Sequence, residues 1–389
     1  MKYNFDSTLD HSKNGSFRWD RTDGRQNIIG MDTADLDYFC APCIKERLLK
    51  VAEENTYNYR MHSQEYYDAV TGWYKKNYGL ALSPDWLSNV PSTIGAVKMA
   101  IDMFTEKGDY VLVQYPCFDP IARSINLAGC RILENKMTVE GGRYLLDFDD
   151  FEKKIIEYRP KVFVLINPHN PTCRVFSKDE LAKVVHICYE HDVKIISDEV
   201  HSLVMYDGNV HTPILAVSEE ARKIAVQIVS CSKGFNIMGL PHAIIAIADD
   251  SIRKEWQHQI DAYSFGYAVN AFAIEAVTSI MEGEADDWLK ELNEYLDVNR
   301  KEMLAFLDRK DIPLHAFRPE GSFLIWVDCR EAGIPCHDLD KFFLDKMGIS
   351  LDDGKPFGDE FDGFVRINFA VTNKVLKEAI ARMEKFFTC

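Results

Sequence analysis

The stretch KVFVLINPHNPTCRVFSKDELAKVVHICYEHDVKIISDEVH, residues 161–201, decides the fold. Two short apolar runs, VFVLI and VKIIS, frame an amphipathic run with helical spacing. Ser177 and Glu180 form a capping-box pair where that helical run begins. Apolar strands separated by a helix are typical of a βαβ unit, whose two strands lie parallel in a buried sheet.

The same alternation continues on both sides of this stretch. STIGAVKMAIDMF (residues 92–104) has helical spacing, whereas DYVLVQY (109–115) and KIAVQIV (223–229) are short apolar runs. Later in the chain a long charged helical pattern leads to the strand-like runs GSFLIWVD and DGFVRINFA. We therefore predict an α/β fold with a mostly parallel central sheet, helices on both faces and a smaller α+β domain.

The change in character near residue 285 predicts the domain organisation. We expect a large domain over residues 46–284 and a small C-terminal domain over residues 285–389. Residues 1–45 are expected to form an N-terminal segment that joins the small domain.

Composition excludes several classes of protein. The 389-residue chain is 47% hydrophobic with a net charge of −16, which argues against a nucleic-acid-binding protein. No apolar run approaches the roughly 20 residues of a membrane span, and the polar N-terminus does not resemble a secretory signal. The ten cysteines are scattered, as is usual for reduced thiols. We expect a cytoplasmic protein that binds neither nucleic acid nor membrane.

Four side chains follow predicted strands at their carboxyl ends. They are Phe118 after VLVQYP, Asn170 after VFVLINPH, Asp198 after VKIIS and Lys233 after VQIVSCS. The carboxyl ends of parallel strands meet at one edge of the sheet, where α/β proteins bind their ligands. We therefore expect these side chains to share one site.

These residue types suit the cofactor pyridoxal 5′-phosphate (PLP). A partly desolvated lysine forms a Schiff base with an aldehyde, and a carboxylate keeps a pyridine nitrogen protonated so that the ring accepts electrons. An aromatic ring stacks on the cofactor, and an amide hydrogen-bonds to its phenolic oxygen. The start of STIGAVKMAIDMF offers free backbone N–H groups to a phosphate. The sequence therefore predicts a PLP site.

Two further residues are candidates for the same site. His201, three residues after Asp198, reaches the same sheet edge, although a histidine bonded within its own loop is the alternative. Arg366 lies in the apolar run GFVRINFA, where a buried guanidinium needs an anionic partner. A substrate carboxylate would be such a partner, and a structural ion pair is the alternative.

Two motifs admit other interpretations. SCSK (residues 230–233) is also a Ser-x-x-Lys sequence, typical of serine β-lactamases, but the Lys-Thr-Gly that accompanies it there does not occur in this chain. CAPC (residues 40–43) has the spacing of a redox dithiol, but the preceding sequence is acidic and turn-like rather than strand-like. The start of a proline-containing helix accounts for it better.

Taken together, these motifs resemble one family. The chain resembles the fold-type I PLP-dependent enzymes, and among them the cystathionine β-lyase, PatB and MalY-like C–S lyases of the class I/II aminotransferase superfamily. The resemblance runs nearly end to end and rests on RWD, ADLDYF, YNY, NPHNPTCRVFSKDEL, SDEVHSLVMYDG, SKGFNIMGL, RPEGSFLIWVD and FVRINFA. It implies the aspartate aminotransferase-like fold.

The resemblance also implies a role for each site residue. Lys233 is implied as the Schiff-base lysine and proton carrier, Asp198 as the partner of the pyridine nitrogen, and Arg366 as the binder of the substrate α-carboxylate. The other implied cofactor contacts are Asn170 and His201 at the ring oxygen, Phe118 on the ring face, Thr93, Ile94, Ser230 and Ser232 at the phosphate, and Tyr59 reaching the phosphate of a neighbouring subunit.

The implied activity is β-elimination. An enzyme of this kind cleaves cystathionine or another S-substituted L-cysteine to a thiol, pyruvate and ammonia, and works as a homodimer with shared active sites. An aminotransferase acting on an L-amino acid is the first alternative, because both reactions remove the same Cα proton. A PLP-holding regulatory or interaction protein with little catalysis is the second.

Four positions depart from the usual family pattern. Cys173 and Gly234 stand where glycine and a larger residue, respectively, are common, and Pro241 stands where many aminotransferases carry a phosphate-binding arginine. Phe118 replaces the usual tyrosine. We expect Cys173 to restrict the backbone and Gly234 to loosen the surroundings of Lys233.

Overall fold

A seven-stranded sheet organises the protein, as a computed structural model shows. The structure describes residues 1–7, 9, 15–20, 27–267 and 269–388. The strands, numbered in chain order, are β1 Ile29–Gly30, β2 Leu87–Val90, β3 Tyr110–Tyr115, β4 Arg131–Lys136, β5 Thr138–Glu140, β6 Arg143–Leu145, β7 Val162–Ile166, β8 Lys194–Asp198, β9 Ala225–Val229, β10 Ala243–Ala246, β11 His315–Phe317, β12 Leu324–Asp328, β13 Ile349–Ser350, β14 Asp352–Asp353 and β15 Phe364–Asn368.

Helices alternate with these strands through most of the chain. They are α1 Phe17–Asp20, α2 Pro42–Glu53, α3 Gln64–Tyr78, α4 Thr93–Phe104, α5 Asp119–Leu127, α6 Phe148–Tyr158, α7 Lys178–Glu190, α8 Glu219–Ile224, α9 Ser232–Phe235, α10 Asp250–Ala262, α11 Ala271–Met281, α12 Asp286–Leu307, α13 Leu339–Met347 and α14 Asn373–Thr388.

The large sheet has the strand order β2-β10-β9-β8-β7-β3-β4. The five strands from β9 to β4 are parallel to one another, whereas β10 runs antiparallel to both of its neighbours. Every residue of β7 and β9 is buried, as expected for strands covered on both faces. The predicted α/β fold with a mostly parallel central sheet is therefore confirmed.

The predicted βαβ unit of the opening stretch is present. Helix α7 connects β7 to the parallel strand β8, and Val162–Ile166 pairs in register with Lys194–Asp198. The hydroxyl of Ser177 accepts a hydrogen bond from the backbone N–H of Glu180, whose carboxylate accepts one from the backbone N–H of Ser177. The predicted capping box is confirmed.

A second sheet lies in the C-terminal part of the chain. Strands β11, β12, β15 and β14 form an antiparallel sheet in that order, and the short strand β1 pairs with β13. The backbone N–H of Met31 also donates to the carbonyl of Ser350, so residues 29–31 are joined to the C-terminal part by main-chain hydrogen bonds. The boundaries at residues 45 and 284 remain predictions.

The large sheet positions a site at one edge. Strands β3, β7, β8 and β9 all end at this edge, because they are parallel. The loop after β7, the last residue of β8 and the short helix α9 after β9 carry three of the predicted site residues.

Candidate active site

A cavity of about 250 Å³ opens at the carboxyl edge of the large sheet. Strand-end residues, the start of α4 and the segment 238–242 line it. The lining residues are Ala34, Pro91, Ser92, Thr93, Ile94, Phe118, Ile166, Asn170, Asp198, Val200, His201, Ser230, Ser232, Lys233, Met238, Leu240, Pro241 and His242. The structure therefore brings nine of the eleven predicted site residues together, and only Tyr59 and Arg366 are not among the lining residues.

Lys233 projects into this cavity from α9. Its Nζ donates a hydrogen bond to the backbone carbonyl of Ala34, in the loop after β1. Desolvation and the nearby Arg366 guanidinium lower the pKa of Lys233 to about 8, although the Asp35 and Asp198 carboxylates oppose that shift. A lysine with this pKa is partly neutral near pH 8, and a neutral amine is a nucleophile and a base.

Asp198 is the last residue of β8 and is buried. Its Oδ1 accepts a hydrogen bond of 3.1 Å from the backbone N–H of Val200. Burial raises the pKa of Asp198 to about 6, and the neighbouring Glu199 carboxylate adds to that rise. A cation in the cavity would favour the charged carboxylate, since Lys233 already lowers the pKa of this group.

Arg366 contacts the cavity wall through Asn170. In the middle of β15, its Nη1 donates to Oδ1 of Asn170 at 2.8 Å, and its Nη2 forms an ion pair with Asp352 on the neighbouring strand β14. The ring of Phe357 lies 5.2 Å from the guanidinium carbon. The guanidinium is thus buried with a carboxylate partner, so the ion-pair alternative for Arg366 is present in the structure.

His201 and Phe118 form two further parts of the wall. Burial, with Lys233 and Arg366 nearby, holds the pKa of His201 well below its ordinary value, so this imidazole is neutral. Its Nδ1 lies 2.8 Å from the hydroxyl oxygen of Ser322. Phe118 is the residue just before α5, and the centroid of its ring lies 6.3 Å from the centroid of the Phe357 ring.

The start of α4 forms the end of the cavity suited to an anion. Ser92 caps this helix by accepting a hydrogen bond from the backbone N–H of Gly95, and Thr93 and Ile94 are its first two residues. The first N–H groups of a helix have no partner within the helix. Ser230 and Ser232 lie in the same cavity, with their hydroxyl oxygens 3.0 Å apart. Backbone N–H groups and hydroxyls in this arrangement favour a phosphate.

The positions that depart from the family pattern have definite surroundings. Cys173 is buried with a φ of 55°, so a non-glycine residue adopts the left-handed conformation here. Gly234 is packed closely, because a Cβ added there would lie 2.6 Å from Cδ1 of Leu203. The expectation that Gly234 leaves space around Lys233 is therefore wrong, since Leu203 occupies that space. Pro241 lines the cavity without contributing a charge.

Sequence reasoning missed Ala34, whose backbone carbonyl accepts the hydrogen bond from Lys233. Ala34 is held in place by its neighbours: the Asn368 amide and the Arg18 guanidinium both donate to the carbonyls of Thr33 and Asp35. The motifs RWD and ADLDYF can be read in the sequence, but nothing in them indicates that the Arg18 side chain binds the loop that contains Asp35.

The comparisons with known proteins agree with this geometry. The family model for aminotransferase class I and II matches residues 26–383. The chain belongs to this family.

Its similar relatives include carbon–sulfur lyases. Cystathionine beta-lyase PatB of Bacillus subtilis is 32% identical, covering 98% of this chain and 99% of PatB. Cystathionine beta-lyase of Corynebacterium glutamicum is 28% identical over 92% of this chain and 93% of its own length. Among solved structures, the PLP-bound C–S lyase from Staphylococcus hominis matches with a TM-score of 0.91 at 28% identity, covering 98% of this chain and 97% of that one.

Gly234→Ala tests the packing behind Lys233. The new Cβ would lie 2.6–2.8 Å from Leu203 atoms, so we expect the free energy of unfolding to fall by about 1–3 kcal/mol. Chemical denaturation followed by circular dichroism measures this change. Gly239→Ala is the matched control, because no heavy atom lies within 4 Å of its added Cβ. Equal stability of the two variants would contradict the packing argument.

Proposed function

We propose that this protein is a PLP-dependent C–S β-lyase that cleaves cystathionine or another S-substituted L-cysteine to a thiol, pyruvate and ammonia. The observation that carries the proposal is the desolvated Lys233 amine, with a pKa of about 8, in one cavity with Asp198, Asn170 and the start of α4. The names of similar relatives, PatB and cystathionine beta-lyase, support the choice of reaction.

The donors in the cavity fit PLP. Lys233 supplies the amine for the aldehyde, and Asp198 supplies a carboxylate for the pyridine nitrogen. Asn170 and His201 would bind the ring oxygen, and Phe118 would lie on the ring face. The phosphate would be held by the N–H groups of Thr93 and Ile94 with the hydroxyls of Ser230 and Ser232.

PLP, when bound, supplies an acceptor for the electrons that the substrate Cα–H bond leaves behind. The Nζ of Lys233 is the base that takes the Cα proton, and a pKa of about 8 makes a useful fraction of this amine neutral near pH 7 to 8. Asp198 would hold the pyridine nitrogen in its protonated form, and that positive charge would favour the carboxylate form of Asp198 despite its burial. The electrons of the former Cα–H bond then form a Cα=Cβ bond as the Cβ–S bond breaks, and the sulfur leaves with the Cβ–S electron pair and takes a proton from Lys233. Water hydrolyses the remaining enamine to pyruvate and ammonia.

Arg366 would bind the substrate α-carboxylate. Asn170 accepts a hydrogen bond from its Nη1 and Asp352 pairs with its Nη2, while its buried Nε has no hydrogen-bond partner among the described residues and is available to a further acceptor. Asn170 both touches Arg366 and lines the cavity, so it would couple substrate binding to the cofactor position. Asp352 holds the guanidinium in place before substrate arrives.

An aminotransferase acting on an L-amino acid is the second candidate. The family that the chain belongs to includes such enzymes by name, and the same Lys233 amine would then return the proton to the cofactor carbon. Assays for thiol and pyruvate, compared with assays for 2-oxo-acid-dependent amino transfer, distinguish the two activities. A protein that holds PLP but turns over neither kind of substrate would be a regulatory or interaction protein instead.

We also propose a homodimer with shared active sites. Tyr59 is 89% exposed, and it lies with the exposed residues Tyr57 and Met61 in the segment between α2 and α3. Large exposed side chains in a cluster favour an interface, and Tyr59 would reach the phosphate of the neighbouring subunit.

We also propose a cytoplasmic location for the protein. We further propose that the chain divides into an N-terminal segment of residues 1–45, a large domain of residues 46–284 and a small domain of residues 285–389. Within the described residues, no helix has the length and apolar character to cross a bilayer.

Lys233→Ala tests the activity. We expect it to abolish thiol release from cystathionine and the visible absorbance of bound PLP, because both require the Nζ amine. The two are measured with a thiol reagent and by spectrophotometry of the purified protein. Lys254→Ala removes an exposed lysine and is expected to keep both properties. Thiol release retained by Lys233→Ala would rule out the proposed role.

The pH dependence of cofactor loading tests the state of Lys233. Only the neutral amine attacks an aldehyde, and the protonated form predominates below a pKa of about 8. The rate at which PLP-free protein regains visible absorbance with added PLP should therefore rise about tenfold per pH unit below pH 8, then level off. A rate that keeps rising to the ordinary lysine pKa of 10.5 would show that the amine is not desolvated.

Arg366→Lys tests substrate binding. Lysine keeps the positive charge beside Asp352 but loses the planar fork that binds a carboxylate with two hydrogen bonds. We expect the KM for cystathionine to rise about 10- to 100-fold, with a much smaller change in kcat. Steady-state kinetics measure both values. Arg330→Lys, an exposed arginine paired with Asp328, is the control, and an unchanged KM in Arg366→Lys would contradict the assignment.

A further inference from the structure

A serine hydroxyl lies behind the histidine of the cavity wall. Nδ1 of His201 and Oγ of Ser322 are 2.8 Å apart, and both residues are buried. His201 follows β8 of the large sheet, whereas Ser322 precedes β12 of the C-terminal sheet. This contact therefore connects the cavity to the second sheet, and no motif in the sequence indicated it.

The direction of this hydrogen bond follows from the neighbouring thiol. Cys173 also lies within hydrogen-bonding reach of the Ser322 hydroxyl, but its own hydrogen has two carbonyl acceptors, Leu324 at 3.2 Å and Pro171 at 3.5 Å. Sulfur is a weak acceptor, whereas an unprotonated imidazole nitrogen is a strong one. The hydroxyl hydrogen of Ser322 is therefore donated to Nδ1 of His201.

The charge state of His201 then determines whether its other ring nitrogen, Nε2, carries a hydrogen. Burial and the two nearby cations, Lys233 and Arg366, hold the pKa of His201 well below its ordinary value, so the ring carries a single N–H. Because Nδ1 accepts a hydrogen bond, that hydrogen must be on Nε2. His201 lines the cavity, so it presents a donor rather than an acceptor there.

The backbone around Ser322 keeps its hydroxyl in place. Ser322 has a φ of 66°, and its N–H donates to the carbonyl of Val204 at 2.9 Å. The neighbouring Gly321 is closely packed, because an added Cβ would lie 2.9 Å from the Val204 carbonyl oxygen and 3.0 Å from Cγ2 of Val175. A serine held in the left-handed conformation by such packing is a strained but fixed donor.

We propose that Ser322 is a positioning residue that fixes His201 as its Nε2–H tautomer, so that the cavity wall offers an N–H donor to the ring oxygen of PLP. The identity of the acceptor rests on the proposed function. The tautomer of His201 does not, since it follows from protein contacts alone.

Nitrogen NMR of the ¹⁵N-histidine-labelled protein tests the tautomer. We expect Nδ1 of His201 to show the chemical shift of an unprotonated nitrogen and Nε2 that of a protonated one, with the signals assigned by their loss in His201→Gln. In Ser322→Ala, whose Cβ is unchanged, the same signals should move toward a mixture of both tautomers. A protonated Nδ1 in the wild-type protein would overturn the proposal, and so would an unchanged spectrum in Ser322→Ala.

The absorbance of the PLP-loaded protein provides a second readout. An N–H donor stabilises the negative charge of the ring oxygen. This stabilisation matters most in the deprotonated form of the bound cofactor, where no nearby proton offsets that charge. Ser322→Ala should therefore raise the midpoint of its pH-dependent visible absorbance by about half to one pH unit. An unchanged midpoint would overturn the proposed effect on PLP.

Ser124→Ala is the matched control for this measurement. Ser124 is also buried, and its hydroxyl donates to the carbonyl of Pro120 at 2.7 Å, outside the cavity-lining residues. We expect this variant to keep the wild-type midpoint. If the wild-type protein bound no PLP, the proposed function would fail, while the NMR experiment would still decide the tautomer of His201.

Discussion

Desolvation of one amine governs the electrostatics of the cavity. Nζ of Lys233 lies where the parallel strands end, and the loss of water lowers its pKa to about 8. The surrounding charges act on it in opposite directions, because Arg366 lowers this pKa further while Asp35 and Asp198 raise it. The result is an amine that exchanges its proton in the pH range of the cell.

The remaining side chains of the site are kept in place by partners outside the cavity. Arg366 is bound between Asn170 and Asp352, and the carbonyl of Ala34 that receives Lys233 is held in a loop anchored by Arg18 and Asn368. These contacts bring the segment before residue 45 and the C-terminal sheet to the edge of the large sheet. Binding groups held in advance by such contacts lose little freedom when a substrate arrives.

Burial and ion pairing set the charge of each side chain around the cavity. Burial neutralises the imidazole of His201, while Arg366 remains charged beside its carboxylate. The same burial raises the pKa of Asp198 to about 6, so a cation bound in the cavity would restore its charge. In the proposed function, Asn170 and His201 would donate hydrogen bonds to the ring oxygen of the cofactor, and Asp198 would face its ring nitrogen.

The sequence by itself determined the βαβ alternation, the capping box of α7 and the presence of Phe118, Asn170, Asp198 and Lys233 at one sheet edge. These follow from local periodicity and from the rule that parallel strands end together. Only the tertiary structure decided that Ser322 meets His201, that Asp352 pairs with Arg366 and that Leu203 fills the space beside Gly234. Each of these contacts joins segments whose distance in space depends on how the two sheets and their loops pack, which no local pattern encodes.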